Sequence, residues 1–316
     1  MAPVSTSPPR PRRPTAPDGI VVVDKPAGWT SHDVVARMRR LAGTRKVGHG
    51  GTLDPMATGV LVVGVGRATR LLTWVSGADK EYTATVRLGV ATTTDDAEGE
   101  VVTAPGAGGV VRADVESAVL PLTGAVLQVP SAVSAIKVDG QRAYARVRAG
   151  EAVELAARPV TVSAFDVGEA RPGDAAGTPV LDVDVRVVCS SGTYVRALAR
   201  DLGAALGTGG HLTALRRTRL GGFDLSAART LEDLAAVPDD VPLDVVDPAA
   251  AAAATLPVRP LDEAEARALS YGQAVALVPG RDGPAAAVGP DGVLVAVVEP
   301  RDGRDRPLLV LAPAGG

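Results

Sequence analysis

The chain has 316 residues, 46 % of them apolar, and a formal net charge of −3. That is enough for two domains with a sizeable core, and global charge does not announce a nucleic-acid partner. One cysteine, Cys189, excludes an intrachain disulfide and fits a reducing cytoplasm; with three histidines, His32, His49 and His211, a Cys/His zinc site is not expected. An Asp/Glu magnesium site stays open, although no acidic cluster with matching polar spacing stands out.

Residues 1–18 are rich in Pro, Ser and Thr and carry Arg10, Arg12 and Arg13. They lack the apolar run of a signal peptide and read as a disordered tail. No apolar stretch approaches a membrane span. From Gly19 the pattern becomes regular: a buried strand over 19–23, ended by Asp24-Lys25-Pro26. Thr30 or Ser31 caps a helix with Val34, Val35, Met38 and Leu41 on one stripe. Arg37, Arg39 and Arg40 fall largely off that stripe.

Next comes Gly48-His-Gly-Gly-Thr-Leu-Asp-Pro-Met-Ala-Thr-Gly59. Gly50 and Gly51 allow backbone angles that other residues avoid, and Pro55 drives Asp54 toward extended backbone. The expected product is a stiff loop that holds Asp54 at its tip and leads into a buried strand over 60–63. Taken alone, an Asp-Pro turn that merely starts a strand is the commoner case.

A short helix is expected over 67–75, an alternating strand over 82–88 and a helix over 112–122. Tyr82 opens its strand, where the ring either joins the core or faces a site and stacks on a base. Residues 128–148 combine a turn, a short apolar strand and a basic helix with Lys137, Arg142, Arg146 and Arg148. That composition suits a flap against a phosphate backbone, and equally a solvated surface helix. Residues 181–188 alternate strictly, as a half-buried strand does. A turn then leads to a helix over 194–206, with Tyr194 and Arg196 in its first turn. Arginine at that place either pairs with a carboxylate from another loop and keeps it ionised, or is simply exposed beside a packed Tyr194. Residues 211–222 add Arg216, Arg217 and Arg219 to the basic density.

Helices and strands mix without a repeating unit, which predicts an α+β fold with a mixed, largely antiparallel sheet. Pro248 and the alanine run after it mark an expected boundary. Beyond it an acidic helix over 261–271 and short strands near 274–277, 285–288, 293–299 and 308–311 predict a small β-rich domain.

Five segments occur in order: the Asp54 loop, Lys80-Glu-Tyr82, Pro130-Ser-Ala-Val-Ser-Ala-Ile-Lys137, Cys189-Ser-Ser-Gly-Thr-Tyr-Val-Arg196 and His211-Leu-Thr-Ala-Leu-Arg-Arg-Thr218. Together they resemble the TruB family of tRNA pseudouridine synthases over about residues 19–223. The resemblance implies an isomerase with a pseudouridine synthase catalytic domain over 19–250, a flap insertion over about 128–150, and a PUA-like RNA-binding domain over 256–316. It implies Asp54 as the catalytic aspartate, Tyr82 as the ring stacked on the target uracil, and Arg196 as the arginine paired with the aspartate. His49 matches the histidine inserted where bases flip out; Tyr194, Leu215 and Lys25 match substrate-pocket positions. Arg37, Arg39, Arg40, Lys137, Arg142 and Arg146 are the expected phosphate contacts. The implied partner is the T-arm of tRNA, with no membrane, no cofactor and a monomeric, cytoplasmic protein. Two departures bear on loop rigidity: Gly50 stands where many members carry Thr, and Ser131 where many carry a second Pro. The alternatives from other classes are an RNA-binding or tRNA-folding protein without chemistry, and a guide-RNA-dependent pseudouridine synthase.

Overall fold

The computed structural model describes residues 13–131, 137–138, 141–142 and 155–314. They form two compact units, one of Met1–Asp54, Leu61–Ser76 and Ser226–Gly316, the other of Pro55–Val60 and Gly77–Leu225.

The first unit begins earlier than expected. Residues 13–18 are packed rather than a free tail: the Ala16 N–H donates to Ala42 O (2.9 Å) and the Arg67 N–H to Asp18 Oδ1 (2.7 Å). Strand β1 (Gly19–Lys25) is an apolar run, buried along its length, and bridges to Val246 through Ile20 and to Arg229 through Val23. Helix α1 (Ser31–Leu41) starts at Thr30, where a capping box with Asp33 satisfies two end N–H groups. Its stripe Val34, Val35, Met38 and Leu41 is buried as predicted. Strand β2 (Val47–Gly50) pairs antiparallel with β3 (Thr58–Val65). A 3-10 turn (Gly66–Leu71) and helix α2 (Leu72–Gly77) follow.

In the second unit the sheet runs β3, β12 (Gly210–Leu220), β4 (Lys80–Leu88), β11 (Thr178–Cys189), β10 (Arg158–Ala175) and β7 (Gly124–Gln128). Every pairing is antiparallel except β3 with β12, which is the mixed, largely antiparallel sheet that the sequence predicts. Smaller pieces are β5 (Ala91–Thr92) with β6 (Val101–Thr103), helix α3 (Arg112–Val119), and β13 (Phe223–Asp224) on β12. Between β7 and β10, β8 (Lys137–Val138) pairs antiparallel with β9 (Gln141–Arg142). Arg142 therefore lies on a strand rather than on the expected basic helix; Arg146 and Arg148 lie outside the described residues. Helix α4 (Val195–Ala205) packs on β12.

The sheet has two unlike faces. Lys80, Tyr82, Ala84, Val86 and Leu88 of β4 are buried, and Val187, Val185 and Val183 of β11 lie beside the middle three. The other face carries ion pairs between strands, Arg87 with Asp182 (2.7 Å) and Arg186 with Glu81 (2.6 Å). This is the period-2 alternation of a half-buried sheet.

The first unit resumes with α5 (Leu231–Ala236) and α6 (Pro248–Ala253). The alanine run is thus a helix, capped by Asp247 and burying Ala251 and Ala252. Strand β14 (Val258–Pro260), helix α7 (Glu263–Ser270), β15 (Val275–Ala276), β16 (Ala285–Val288), β17 (Leu294–Arg301) and β18 (Arg304–Val310) complete the chain. Their sheet has the order β14-β16-β17-β18-β15, which is the small β-rich region predicted. Buried Arg259 pairs there with Asp305 (2.8 Å) and Glu265 (2.7 Å).

One glycine is obligatory for the sheet. Gly59, opposite Arg217 in the parallel pair, has φ +96°, and a Cβ there would stand 2.2 Å from the Arg217 carbonyl oxygen. Gly59→Ala is expected to destabilise by more than about 1 kcal/mol, the least cost of alanine forced into positive φ. Gly77→Ala, with open space around its Cβ position, is expected to stay within about 0.5 kcal/mol of wild type, the usual range for surface changes. Urea denaturation of the three proteins checks this.

Candidate active site

The Asp54 loop is anchored at several points. Ser31 Oγ, at the start of α1, accepts from the Leu53 N–H (2.9 Å) and donates to Leu53 O (3.1 Å). The Gly51 N–H donates to Ser76 Oγ (3.1 Å). Asp54 follows directly on the residue held at both backbone groups. Of the two glycines expected to need special angles, only Gly51 does, with φ +70°. Gly50 lies in β2 opposite Val62, where a Cβ would meet Val75 Cγ1 at 3.1 Å. A larger residue there requires Val75 to shift.

His49 sits on β2 opposite Val63, its ring edge-on to His32 with centroids 5.5 Å apart. Lys25 is fully buried, and its Nζ donates to Pro26 O (2.9 Å) and Trp29 O (2.6 Å). Here the ammonium shapes the turn between β1 and α1. Arg37 and Arg40 line an open cleft with Trp29, Asp33 and Glu232, and Arg39 is exposed.

In the second unit Tyr82 is 7 % exposed and stands opposite Val187 on one side and Arg217 on the other. Leu215, opposite Ala84, lies on the same inner face. So does Arg217, which is completely buried and donates from Nε to Val60 O (2.7 Å). Arg219 pairs with Asp79 (2.7 Å). The basic density expected from 216–219 is consequently not a free surface. The alternation of Leu215 and Arg217 along one strand was the available signal for the buried position.

Tyr194 is the N-cap of α4 rather than part of its first turn. Arg196 is buried, pairs with Asp96 (Nε–Oδ2 3.6 Å) and donates to Thr94 O (2.9 Å). One helical turn on, Arg200 meets Asp95 (3.4 Å). Burial pushes the Asp95 carboxyl above the usual carboxylate range, partly offset by Ser131 and Arg200. Sequence reasoning passed over this loop; its one signal was two adjacent aspartates in the Thr-rich run 92–96. Lys137 is paired with Arg142 in the backbone register of β8 and β9. Asp54, His49 and Lys25 thus belong to the first unit, and Tyr82, Tyr194, Arg196 and Leu215 to the second. Among the described residues no three His, Cys, Asp or Glu side chains are grouped as metal ligands, and no helix is long and apolar enough to cross a membrane.

The fold is that of the protein in the crystal structure of the archaeal box H/ACA sRNP Nop10–Cbf5 complex, with a TM-score of 0.66 at 24 % identity over 94 % of this chain and 87 % of the other. A chain in the structure of an H/ACA RNP bound to a substrate RNA containing 2′-deoxyuridine gives 0.69 at 23 %, covering 98 % and 93 %. The family model of the TruB pseudouridylate synthase N-terminal domain matches residues 39–195. Two C-terminal models match on either side of α6's end: the tRNA pseudouridylate synthase B C-terminal domain at 196–251, and tRNA pseudouridine synthase II, C terminal, at 256–312. These family models define a pseudouridine synthase, an isomerase. Among relatives, the tRNA pseudouridine synthase B of Arthrobacter sp. (strain FB24) is 60 % identical over 94 % of this chain and 97 % of its own length. That of Streptomyces griseus is 56 % identical, covering 94 % and 98 %. The chain belongs to the TruB family.

Two predictions follow from the electrostatics. Arg196→Ala leaves the Asp96 carboxylate, 3 % exposed, without this cation. Breaking a buried pair costs about 3 kcal/mol or more, so chemical denaturation should show a stability loss. Secondly, burial and then Arg217 lower the Lys80 pKa from 10.5 to about 8. Cys189, its partner across the strands, is pushed by burial from 9.0 to about 11. Unfolding restores the lysine's proton affinity, so stability rises with pH from about 8 toward 10.5; the thiol loses stability from about 9 to 11. Only the lysine acts between pH 8 and 9, where wild type should gain up to about 1 kcal/mol. Lys80→Met should flatten that interval in denaturation at stepped pH.

Proposed function

We propose that this chain isomerises the T-loop uridine at position 55 of tRNA to pseudouridine, with Asp54 as the nucleophile. The observation that carries the reading is the placement of Asp54: it directly follows Leu53, whose N–H and C=O are both bound by Ser31, in a loop also held through Gly51. A loop held at its backbone just before the carboxylate supports the positioning that a nucleophilic step requires. The relatives, named tRNA pseudouridine synthase B, support the substrate class.

In the reaction the N1–C1′ bond of uridine breaks, the freed base turns, and a C5–C1′ bond forms. C5 then loses its proton and N1 gains one, so atoms and electrons balance with no co-reactant. Attack of Asp54 at C6, attack at C1′, and departure through a glycal all place this carboxylate beside the reacting ring. Arg196, held by Asp96, is the arginine that this reading assigns to Asp54. The target base leaves its stack at a cost of a few kcal/mol, and stacking on Tyr82 offsets about 1–3 kcal/mol of it. His49 fills the vacated space, and Tyr194, Leu215 and Lys25 border the pocket. Arg37, Arg39, Arg40, Lys137, Arg142 and Arg146 meet phosphates, which makes affinity fall with salt. In this reading residues 19–250 are the catalytic domain, the insertion over about 128–150, most of it outside the described residues, is the T-arm flap of the family, and the β-rich region 256–316 is a PUA-like RNA-binding module of a monomeric, cytoplasmic enzyme.

Tritium release from tRNA carrying 5-³H-uridine tests this with purified protein and RNA alone. Asp54→Ala should abolish release and bind the RNA within a few-fold of wild type. Normal release by the variant ends the nucleophile assignment; release by wild type only with an added guide RNA ends the stand-alone reading.

A further inference from the structure

We infer that Gln128 is a positioning residue for the base-isomerising site, acting through the backbone of Tyr194. The inference rests on the reading of Tyr194 as a pocket residue. Gln128 is the last residue of β7 and is 3 % exposed. Its Oε1 accepts from the Tyr194 N–H (2.8 Å), and its Nε2 donates to Tyr194 O (3.1 Å). The two partners fix the amide's orientation, because a backbone N–H only donates and a carbonyl only accepts. One side chain thus binds both polar backbone groups of one residue, 66 positions away in the chain.

Tyr194 is where that grip matters. It is the N-cap of α4 with extended backbone (φ −105°, ψ 108°) and no side-chain capping bond of its own. Its carbonyl also takes the first helical bond, from the Leu198 N–H (3.2 Å). Rotation of this residue about its backbone would swing the tyrosine ring and shift the helix start that carries Arg196. Gln128 blocks the rotation at both ends of the residue.

A second tether holds the same segment one turn further along. Arg200 Nη2 donates to Val129 O (2.7 Å), and the same guanidinium meets Asp95 (3.4 Å) and Asp201 (2.8 Å). Asp96, beside Asp95, holds Arg196 (3.6 Å). Residues 128–129 and 94–96 therefore grip the opening of α4 from separate elements, and the two arginines there, four residues apart, have separate carboxylates. A plain helix cap would need only an acceptor for the N-terminal N–H groups. The bond from Nε2 to the Tyr194 carbonyl adds nothing to capping and fixes orientation.

The test separates rate from binding and from folding. Gln128→Met keeps the length and volume of the side chain and removes both bonds. Single-turnover tritium release, counted per RNA-binding-competent protein, should fall about 10- to 100-fold, the scale of a roughly 1 Å misplacement of a reacting group. RNA affinity should stay within about threefold, since uniform binding is not what the amide supplies. Gln128→Glu, which keeps the acceptor and loses the donor, should fall in rate with the same unchanged affinity. Wild-type rates in both variants overturn the proposal, as does a loss that vanishes once activity is counted per competent molecule. If Gln128→Met does not fold, Arg200→Lys is the second variant. It weakens the neighbouring tether and should show the same fall in rate at constant affinity; an unchanged rate counts against the proposal. Wild-type protein that releases no tritium overturns the functional reading itself, a result distinct from any difference between variants.

Discussion

The closest approach in the sheet is the constraint on which the rest depends. At Gly59 the strand that leaves the Asp54 loop passes so near β12 that a Cβ would stand 2.2 Å from the Arg217 carbonyl oxygen. Glycine alone satisfies both that distance and the positive φ. Because β3 can enter there, Arg217 buries its guanidinium against Val60 O. The inner face of β12 then presents Leu215 and Arg217 beside Tyr82 and Ala84. A parallel contact of two residue pairs thus joins β3 to a strand whose antiparallel neighbour carries Tyr82.

Burial of charge is the second theme. Lys25, Lys80, Arg196 and Arg217 are all buried in a chain whose net charge is only −3. Buried cations are costly unless bonded, and these are held by carbonyls and by aspartate. Lys25 shapes a turn, Arg217 secures a strand and Arg196 answers Asp96. Positive charge counted along the sequence is therefore a poor guide to the surface that RNA would meet. Of the basic residues in 216–219, Arg217 lies inside and Arg219 is paired with Asp79.

Much of the local structure was legible. The stripe of α1, its Thr30 cap, the alternation of 82–88 and 181–188, and the β-rich end all follow from periodicity and capping, which are properties of neighbours in sequence. The misreadings have a common origin. Residues 13–18 looked disordered by composition, but Ala16 and Asp18 find backbone partners at Ala42 and Arg67. Gly50 looked like a turn glycine and proved to be a strand residue opposite Val62.

The sequence by itself determined the family and marked the candidate positions for chemistry. Asp54, Tyr82, Tyr194 and Arg196 lie in long ordered motifs, and the strands and helices around them obey short-range rules. Tertiary structure alone decided which groups hold those positions: Ser31 on Leu53, Asp96 on Arg196, Gln128 on Tyr194. The reason is physical. A hydrogen bond or ion pair between residues 22, 100 or 66 positions apart leaves no periodic trace in the chain. It exists only once the backbone has brought two buried polar groups within bonding distance, where leaving either unmade would cost more than ordering both.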